Sequence, residues 1–203
     1  MKPKHHAAAR FLKSGLFDGL ESFSQLEQRI MDLDLPEKQR GDAFEVFAEA
    51  LLSTQNKYQA KNVWPDTKIP PQIAKKLLLP SKDMGVDGVV ETRSGELIAY
   101  QVKFRSNRPL LLWGELGTFF GLSEKADHRM VITNCDDLAD VAKHRPNFSS
   151  VRGNTLDHLE EGDFETIRSW LSSGEVKRIK KTPRLYQKEA IGDIRDQLAS
   201  VRP

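Results

Sequence analysis

The order of elements along this chain predicts an α/β domain, with a central mixed sheet covered by helices on both faces. Residues 41–52 place their apolar side chains on one helical stripe, which is typical of an amphipathic helix packed on a core. Residues 86–104 contain two apolar runs around a short turn, and the end of the second run alternates polar and apolar side chains, which predicts a β-hairpin. A helix, a compact apolar strand and further helices follow, and such a succession builds a sheet flanked by helices.

The composition is that of a globular protein with one well-buried domain and appendages. The chain has 203 residues, of which 38% are hydrophobic and 30% are charged, and its net charge is only +2. Because the chain is not strongly basic overall, any contact with nucleic acid must be local. The single cysteine, Cys135, excludes an internal disulfide framework and fits a reducing cytoplasm. No run approaches the roughly 18 apolar residues of a membrane span, so we expect a cytoplasmic protein without membrane contact.

Residues 1–40 are expected to form a helical appendage that packs on the core. Ser24 and Glu27 have the spacing of a capping box, and apolar side chains then recur at helical spacing until Pro36. The strongly amphipathic helix at 41–52 comes next.

Between this helix and the hairpin, residues 53–82 carry repeated prolines and are predicted to be mostly a connection. We expect a short strand near Val63 and Trp64 and a short helix at 73–79 within it. The elements expected after the hairpin are a helix at 111–122, a buried strand at 129–133, and helices at 138–143 and 163–171.

The hairpin carries a group of polar residues that suggests a metal site. Alternation along a strand sends Gln101 and Lys103 to one face, whereas Tyr100, Val102 and Phe104 point to the other. Asp87 stands at the start of the hairpin. A carboxylate and a side-chain oxygen suit a hard cation, and an ammonium stabilises charge beside an attacked phosphate. This combination is typical of metal-assisted phosphodiester cleavage.

Each of these residues also has a structural explanation. Asp87 could belong to an Asp-Gly turn, and Asp42 with Glu45 could be the N-cap and N3 residues of a capping pair. Gln101 and Lys103 could be the exposed face of an edge strand. The conjunction of all these residues in this order is much rarer than its parts, and it favours a site.

The five histidines do not indicate a metal site of their own. His5 and His6 are expected to lie in a mobile N-terminus, and His128, His144 and His158 lack the spacing of metal ligands.

Four segments of the chain resemble the PD-(D/E)xK nucleases, and within that superfamily the Mrr-like restriction endonucleases. The segments are residues 41–45, 82–88, 99–104 and 130–133. The resemblance covers roughly residues 41–135. It implies a restriction-endonuclease-like three-layer α/β/α core and a DNA endonuclease that depends on Mg²⁺ or Mn²⁺.

The resemblance also implies roles for individual residues. The metal ligands would be Asp87, the Gln101 side-chain oxygen, the Val102 carbonyl and Glu45. Lys103 would orient the attacking water or stabilise the pentavalent phosphate. Most of the superfamily carries an acid where this chain has Gln101, although Mrr-like members commonly show Gln-x-Lys. An amide oxygen binds a divalent cation less strongly than a carboxylate, so this departure concerns metal affinity. Asp83 is a further carboxylate that ranks below Asp87.

Basic and amide side chains near the hairpin are candidates for contacts with the DNA backbone. Arg105, Asn107 and Arg108 follow the second strand directly, and Lys57 and Lys61 are expected to line the approach. No helix-turn-helix or zinc-finger pattern indicates base-specific recognition.

The C-terminal residues 182–191 resemble the short element that precedes the first RecA-like domain of superfamily 2 helicases, in which the glutamine, here Gln187, contacts adenine. An amphipathic terminal helix at 186–198 is the alternative. No phosphate-binding loop follows in this chain, so this piece is not expected to hydrolyse ATP.

The expected organisation is therefore a helical appendage at 1–40, a nuclease domain at 41–172, and a basic linker with the start of a truncated helicase domain at 173–203. The chain would be the nuclease module of an ATP-dependent restriction or phage-defence helicase, with a C-terminal motor in a longer parent chain. Two alternatives stay open: a catalytically inactive nuclease fold that binds DNA or docks a partner, and a Holliday-junction-type resolvase.

Overall fold

The structure is a computed structural model, and it describes residues 2–80 and 85–176, together with Ile194. Asp83, the basic run at 177–181 and the helicase-like segment at 182–191 lie outside the described residues. The expectations attached to them stay predictions.

Within the described ranges, five strands form one sheet and follow one another in chain order. They are β1 (Ala60–Pro65), β2 (Gly88–Thr92), β3 (Leu97–Lys103), β4 (His128–Thr133) and β5 (Phe148–Val151). The pairs β1–β2 and β2–β3 are antiparallel, whereas β3–β4 and β4–β5 are parallel. The predicted mixed sheet is therefore confirmed, and β5 is a strand that the sequence pattern does not predict.

Helices cover the two faces of this sheet. They are α1 (Ala8–Lys13), α2 (Phe23–Met31), α3 (Glu37–Thr54), α4 (Pro71–Lys76), α5 (Trp113–Leu122), α6 (Asp140–Lys143), α7 (Gly153–Leu156) and α8 (Glu161–Ser173). Single 3-10 turns lie at Asn56–Tyr58 and Asp66–Lys68. None of the helices in the described part of the chain is long and apolar enough to span a bilayer.

Two hydrophobic clusters lie on opposite faces of β3, because side chains alternate along a strand. Tyr100, Val102 and Phe104 join the cluster formed with α1, α2, α3 and α8. Leu97 and Ala99 join the cluster formed with α5 and α6. The sheet is thus the middle layer of three, as predicted.

α3 is longer than predicted, because it begins at Glu37 and not at Gly41. Pro36 precedes the first turn, where its fixed φ suits entry into a helix. Asp42 therefore lies inside the helix, beyond its first turn. The interpretation of Asp42 and Glu45 as a capping pair is wrong, and both side chains need another explanation.

α2 also begins differently from the prediction. The Ser22 side chain accepts the N–H of Gln25 at 3.3 Å, so Ser22 is the N-cap and the proposed capping box of Ser24 with Glu27 is wrong. Glu27 instead accepts hydrogen bonds from Arg108 and from the Asn134 amide.

Candidate active site

Asp87 lies directly before β2 and beside the end of β3. Its N–H donates to the Tyr100 carbonyl at 2.9 Å, which extends the hairpin pairing by one residue. Its carboxylate oxygen Oδ2 accepts the N–H of Val102 at 2.6 Å. The Asp87 carboxylate is therefore held against the backbone of β3 at Val102, the residue before Lys103.

Gly88 explains why the Asp-Gly pair is not a turn here. Gly88 is the first residue of β2 and faces Tyr100 across the hairpin. A Cβ atom at this position would overlap the Tyr100 ring and the Trp64 carbonyl oxygen. Glycine is therefore required by close packing within a strand, and the turn interpretation of Asp87 is wrong.

The Val102 carbonyl faces the same edge of β3 as the Asp87 carboxylate. In a strand, the N–H and C=O groups of one residue point to the same side. Because the Val102 N–H points to Asp87, the Val102 carbonyl points to this side too, where β2 has not yet begun. Asp87 and Val102 thus bring two oxygen atoms to one place.

Asp87, Val102 and Lys103 line a cavity of about 510 Å³ between the strand ends and α3. The acidic residues that line it are Glu37, Asp42, Glu45, Asp66 and Asp87. Its basic residues and histidines are Lys38, Lys103, Arg105, His5 and His6. The cavity therefore combines carboxylates with cations.

Four carboxylates influence the pKa of one buried hydroxyl group, that of Tyr100. Burial raises the pKa of Tyr100 well above its ordinary value, and the nearby carboxylates raise the same pKa further. The carboxylates, in decreasing order of effect, are Glu49, Asp87, Glu45 and Asp66. Of these four, Asp87, Glu45 and Asp66 line the cavity and Glu49 does not, and the negative charge of the three is one that a bound cation would stabilise.

Lys103 ends β3 and differs from Arg105, which lines the same cavity. In the part of the chain that the structure describes, no carboxylate forms an ion pair with Lys103. Arg105, by contrast, donates from Nε and Nη2 to Glu115 at 2.9 and 2.6 Å. Lys103 and Lys38 are therefore the two lysines at the cavity that form no ion pair with a described carboxylate, and of the two only Lys103 lies on the strand beside Asp87.

Gln101 does not line the cavity, although it lies on β3 beside residues that do. Its side chain is 2% exposed, and its Nε2 donates to the Gly85 carbonyl at 2.9 Å. Its Oε1 is buried and accepts no hydrogen bond from any described residue. An unsatisfied buried oxygen costs about 1–3 kcal/mol, so this atom calls for a donor or a cation.

These atoms fit a hard divalent cation such as Mg²⁺. Mg²⁺ takes oxygen ligands, usually one or two carboxylates together with several water molecules. Among the described residues, no three His, Cys, Asp or Glu side chains group closely enough to hold a metal by themselves. Carboxylates from Asp87 and Glu45 would therefore need the neutral oxygens of Val102 and Gln101, or water, to complete the set.

The candidate DNA contacts are scattered over the molecule. Arg105 lines the cavity. Arg108 does not, because its guanidinium binds Glu27 and Asp157. Asn107 has a φ of 63° and precedes Arg108, whose φ is 47°, so the two form a left-handed turn.

Lys57 and Lys61 lie away from the cavity. They are close to the start of β1, whereas the cavity lies at its end. Ala60 pairs with Thr92, whereas Pro65 pairs with Gly88 beside the cavity. Lys61 forms an ion pair with Glu91 at 3.0 Å, and Lys57 lies 5.0 Å from the Tyr58 ring centre.

Several residues that line the cavity were not predicted from the sequence, among them His5 and Asp66. His5 is 6% exposed and bonded to Glu45, so the expectation of a mobile N-terminus is wrong for this residue. Asp66 donates its N–H to the Asp87 carbonyl at 2.9 Å. Neither residue carries a local signal, because each reaches the cavity through contacts between distant parts of the chain.

Comparison with known proteins agrees with this fold. The chain belongs to the restriction endonuclease family Mrr_cat_2, whose model matches residues 52–172. The match includes Asp87, Gln101 and Lys103 but not Glu45 or His5. No curated protein sequence matches the chain.

Two solved structures are similar to this chain. The first is an "ATP-dependent Type ISP restriction-modification enzyme LlaBIII bound to DNA", with 20% identity and a TM-score of 0.53. The alignment covers 86% of this chain and 11% of that one. The second is an "MspJI Restriction Endonuclease in Complex with 27-mer Oligonucleotide", with 14% identity, a TM-score of 0.44, and coverage of 94% and 40%. At 20% identity the likeness to LlaBIII supports the fold alone.

Proposed function

We propose that this chain hydrolyses DNA phosphodiester bonds with the help of Mg²⁺ or Mn²⁺. The observation that carries the proposal is the hydrogen bond from the Val102 N–H to Asp87 Oδ2. It fixes a carboxylate against the backbone at the end of β3, beside the lysine that ends the strand. Membership of a restriction endonuclease family supports the same chemistry.

Each residue has a defined role in this proposal. Asp87, Glu45 and the Val102 carbonyl would hold the cation, and the Gln101 oxygen would join them as a neutral ligand only if its side chain turned from Gly85 toward the cavity. When bound, the metal lowers the pKa of a coordinated water and neutralises charge that builds on the phosphate. Lys103 orients the attacking water and stabilises the negative charge of the transition state. Arg105 binds the DNA backbone at the rim of the cavity.

The chain is further proposed to be one module of a longer enzyme. LlaBIII is described as ATP-dependent, and this chain covers only 11% of its length. The helicase-like sequence at 182–191 supports a motor C-terminal to the nuclease in a longer parent chain. Because this chain carries no phosphate-binding loop, ATP is expected to leave its own nicking rate unchanged.

Nicking of supercoiled plasmid in the presence of Mg²⁺ tests the proposal. Asp87→Asn keeps an oxygen that accepts the Val102 N–H, but it removes the negative charge. Lys103→Met keeps the length of the side chain and removes the ammonium. Each variant is expected to lose about 100-fold or more in rate, because each removes several kcal/mol of charge stabilisation.

Matched controls separate this loss from general effects. Lys61→Met makes the same change at the other end of the sheet, and Asp140→Asn makes the same change at an exposed carboxylate of α6. Both controls are expected to nick at the wild-type rate. Wild-type nicking by Asp87→Asn would contradict the proposal. A wild-type chain that binds DNA and leaves it intact would instead favour a binding module, and a preference for branched DNA would favour a resolvase.

A further inference from the structure

His5 lies in the cavity wall, next to the glutamate that α3 contributes. Its side chain is almost fully buried, and Nε2 is 3.0 Å from Glu45 Oε2. The other ring nitrogen, Nδ1, accepts the N–H of Ala7 at 3.2 Å. Because Nδ1 acts as the acceptor, Nε2 carries the hydrogen and donates a hydrogen bond to Glu45 Oε2.

The backbone around His5 is fixed to the same helix. The N-terminal strap, residues 4–7, binds Glu49 of α3 one turn after Glu45. The Glu49 carboxylate is 1% exposed and accepts the N–H groups of Lys4 at 2.8 Å and His5 at 3.0 Å. Lys4 Nζ donates to the Val63 carbonyl at 2.7 Å, which attaches the strap to β1 as well. The imidazole therefore has little freedom to leave Glu45.

The hydrogen bond to His5 involves only one of the two carboxylate oxygens of Glu45. Oε2 accepts from His5, whereas Oε1 accepts no hydrogen bond from any described residue. The Glu45 side chain is 27% exposed, so without a partner it would sample several rotamers. The bond from His5 restricts these rotamers and leaves Oε1 for another ligand.

We propose that His5 is a positioning residue that orients the Glu45 carboxylate toward the bound metal ion. This inference rests on the proposed metal-dependent function. Partners that orient a metal ligand typically change metal affinity or activity by about 10–100-fold when they are removed. His5 and Glu45 both precede the residues matched by the family model, so the inference comes from this chain's own contacts.

Two substitutions at position 5 separate positioning from a purely structural role. His5→Gln can place an amide N–H where Nε2 lies, but it loses the acceptor for Ala7. His5→Asn can keep an oxygen near the position of Nδ1, but it has no donor that reaches Glu45. A structural role predicts equal effects, whereas the positioning role predicts that only His5→Asn impairs the site.

The first measurement is binding of Mn²⁺ to the whole chain without DNA, followed through the electron paramagnetic resonance signal of the free ion. We expect His5→Asn to raise the Mn²⁺ dissociation constant about tenfold and His5→Gln to stay within about twofold of the wild type. His144→Asn, an exposed histidine on the other face, is the control and is expected to have no effect. Thermal unfolding midpoints show whether each variant is folded.

The second measurement is plasmid nicking over a range of Mg²⁺ concentrations. His5→Asn is expected to raise the half-saturating Mg²⁺ concentration about tenfold, with the rate at saturating Mg²⁺ reduced much less. Wild-type Mn²⁺ affinity in His5→Asn, or an equal loss in His5→Gln, would overturn the inference.

Asp87→Asn distinguishes this result from failure of the proposed function. If Asp87→Asn abolishes Mn²⁺ binding and His5→Asn does not weaken it, the metal site stands and only the role of His5 is wrong. If Asp87→Asn leaves Mn²⁺ binding unchanged, or the wild type binds none, the proposed function and this inference are both wrong.

Discussion

A single methyl group at position 88 is expected to destabilise the hairpin that holds Asp87. The Cβ of alanine would overlap the Tyr100 ring and the Trp64 carbonyl oxygen, and both belong to the packed sheet. Gly88→Ala should therefore lower the free energy of unfolding by about 1–3 kcal/mol, measured by urea denaturation. Gly121→Ala in α5 is the control, because its Cβ meets nothing within 4 Å and alanine favours a helix. Equal stability of the two variants would contradict the prediction.

The sequence predicts individual site residues only where the signal is local. Asp87 and Lys103 stand at the start and the end of one hairpin, so the prediction of the hairpin was enough to associate them. His5 and Glu45 are 40 positions apart, and Arg108 and Glu27 are 81 apart. No pattern of neighbouring residues encodes such pairs, because they depend on how the intervening chain packs.

At the scale of elements, the sequence predicted those with strong periodicity. α3 and the hairpin were recognised from their apolar spacing, and their existence is confirmed with shifted ends. β5 was missed, because its residues at 148–150 are only half buried and two of them are serines. Pairing with β4 makes this segment a strand, and such pairing is invisible in a single short window.

The N-terminal strap depends on one buried carboxylate, and this can be tested separately. Burial raises the pKa of Glu49, while the N–H groups of Lys4 and His5 oppose this rise. Glu49→Gln retains only one acceptor oxygen, so one of the two N–H groups loses its partner. Hydrogen exchange in a peptide covering the strap should accelerate about tenfold or more, because a charge-assisted hydrogen bond contributes about 1.5–3 kcal/mol.

Glu165→Gln, at an exposed position of α8, is the control for this experiment and should leave exchange in the strap unchanged. If His5 positions Glu45, Glu49→Gln should also raise the half-saturating Mg²⁺ concentration for nicking. Unchanged protection of the strap would show that the Glu49 contacts do not hold it.

At the scale of the whole molecule, the N-terminal helices share the core of the nuclease fold. Apolar side chains of α1 and α2 lie in the same cluster as α3, α8 and one face of β3. The family model begins at residue 52, yet residues before it supply α3, Glu45 and His5. We therefore propose that residues 2–54 fold together with the rest of the described chain as one cooperative unit.

Arg108 is one of the polar connections between these parts. It binds Glu27 of α2 through Nε and Nη2 and Asp157 after α7 through Nη1 and Nη2, and it lies 5.5 Å from the Phe23 ring centre. These partners raise the pKa of Arg108 above its ordinary value, chiefly through hydrogen bonds to Asp157 and Glu27. The left-handed backbone at this residue adds a strain that the network must offset.

Arg108→Met should therefore lower the free energy of unfolding by about 1–3 kcal/mol, because it leaves the partly buried Glu27 and the exposed Asp157 without their main partner. Arg93→Met is the control, since Arg93 is exposed and its side chain forms no ion pair with any described residue. Urea unfolding followed by both circular dichroism and tryptophan fluorescence should give one coincident transition for wild type and variant. Two separate transitions, with only the first sensitive to Arg108→Met, would mean that the N-terminal helices form an independent unit. The proposed cooperativity between these helices and the five-stranded sheet would then be wrong.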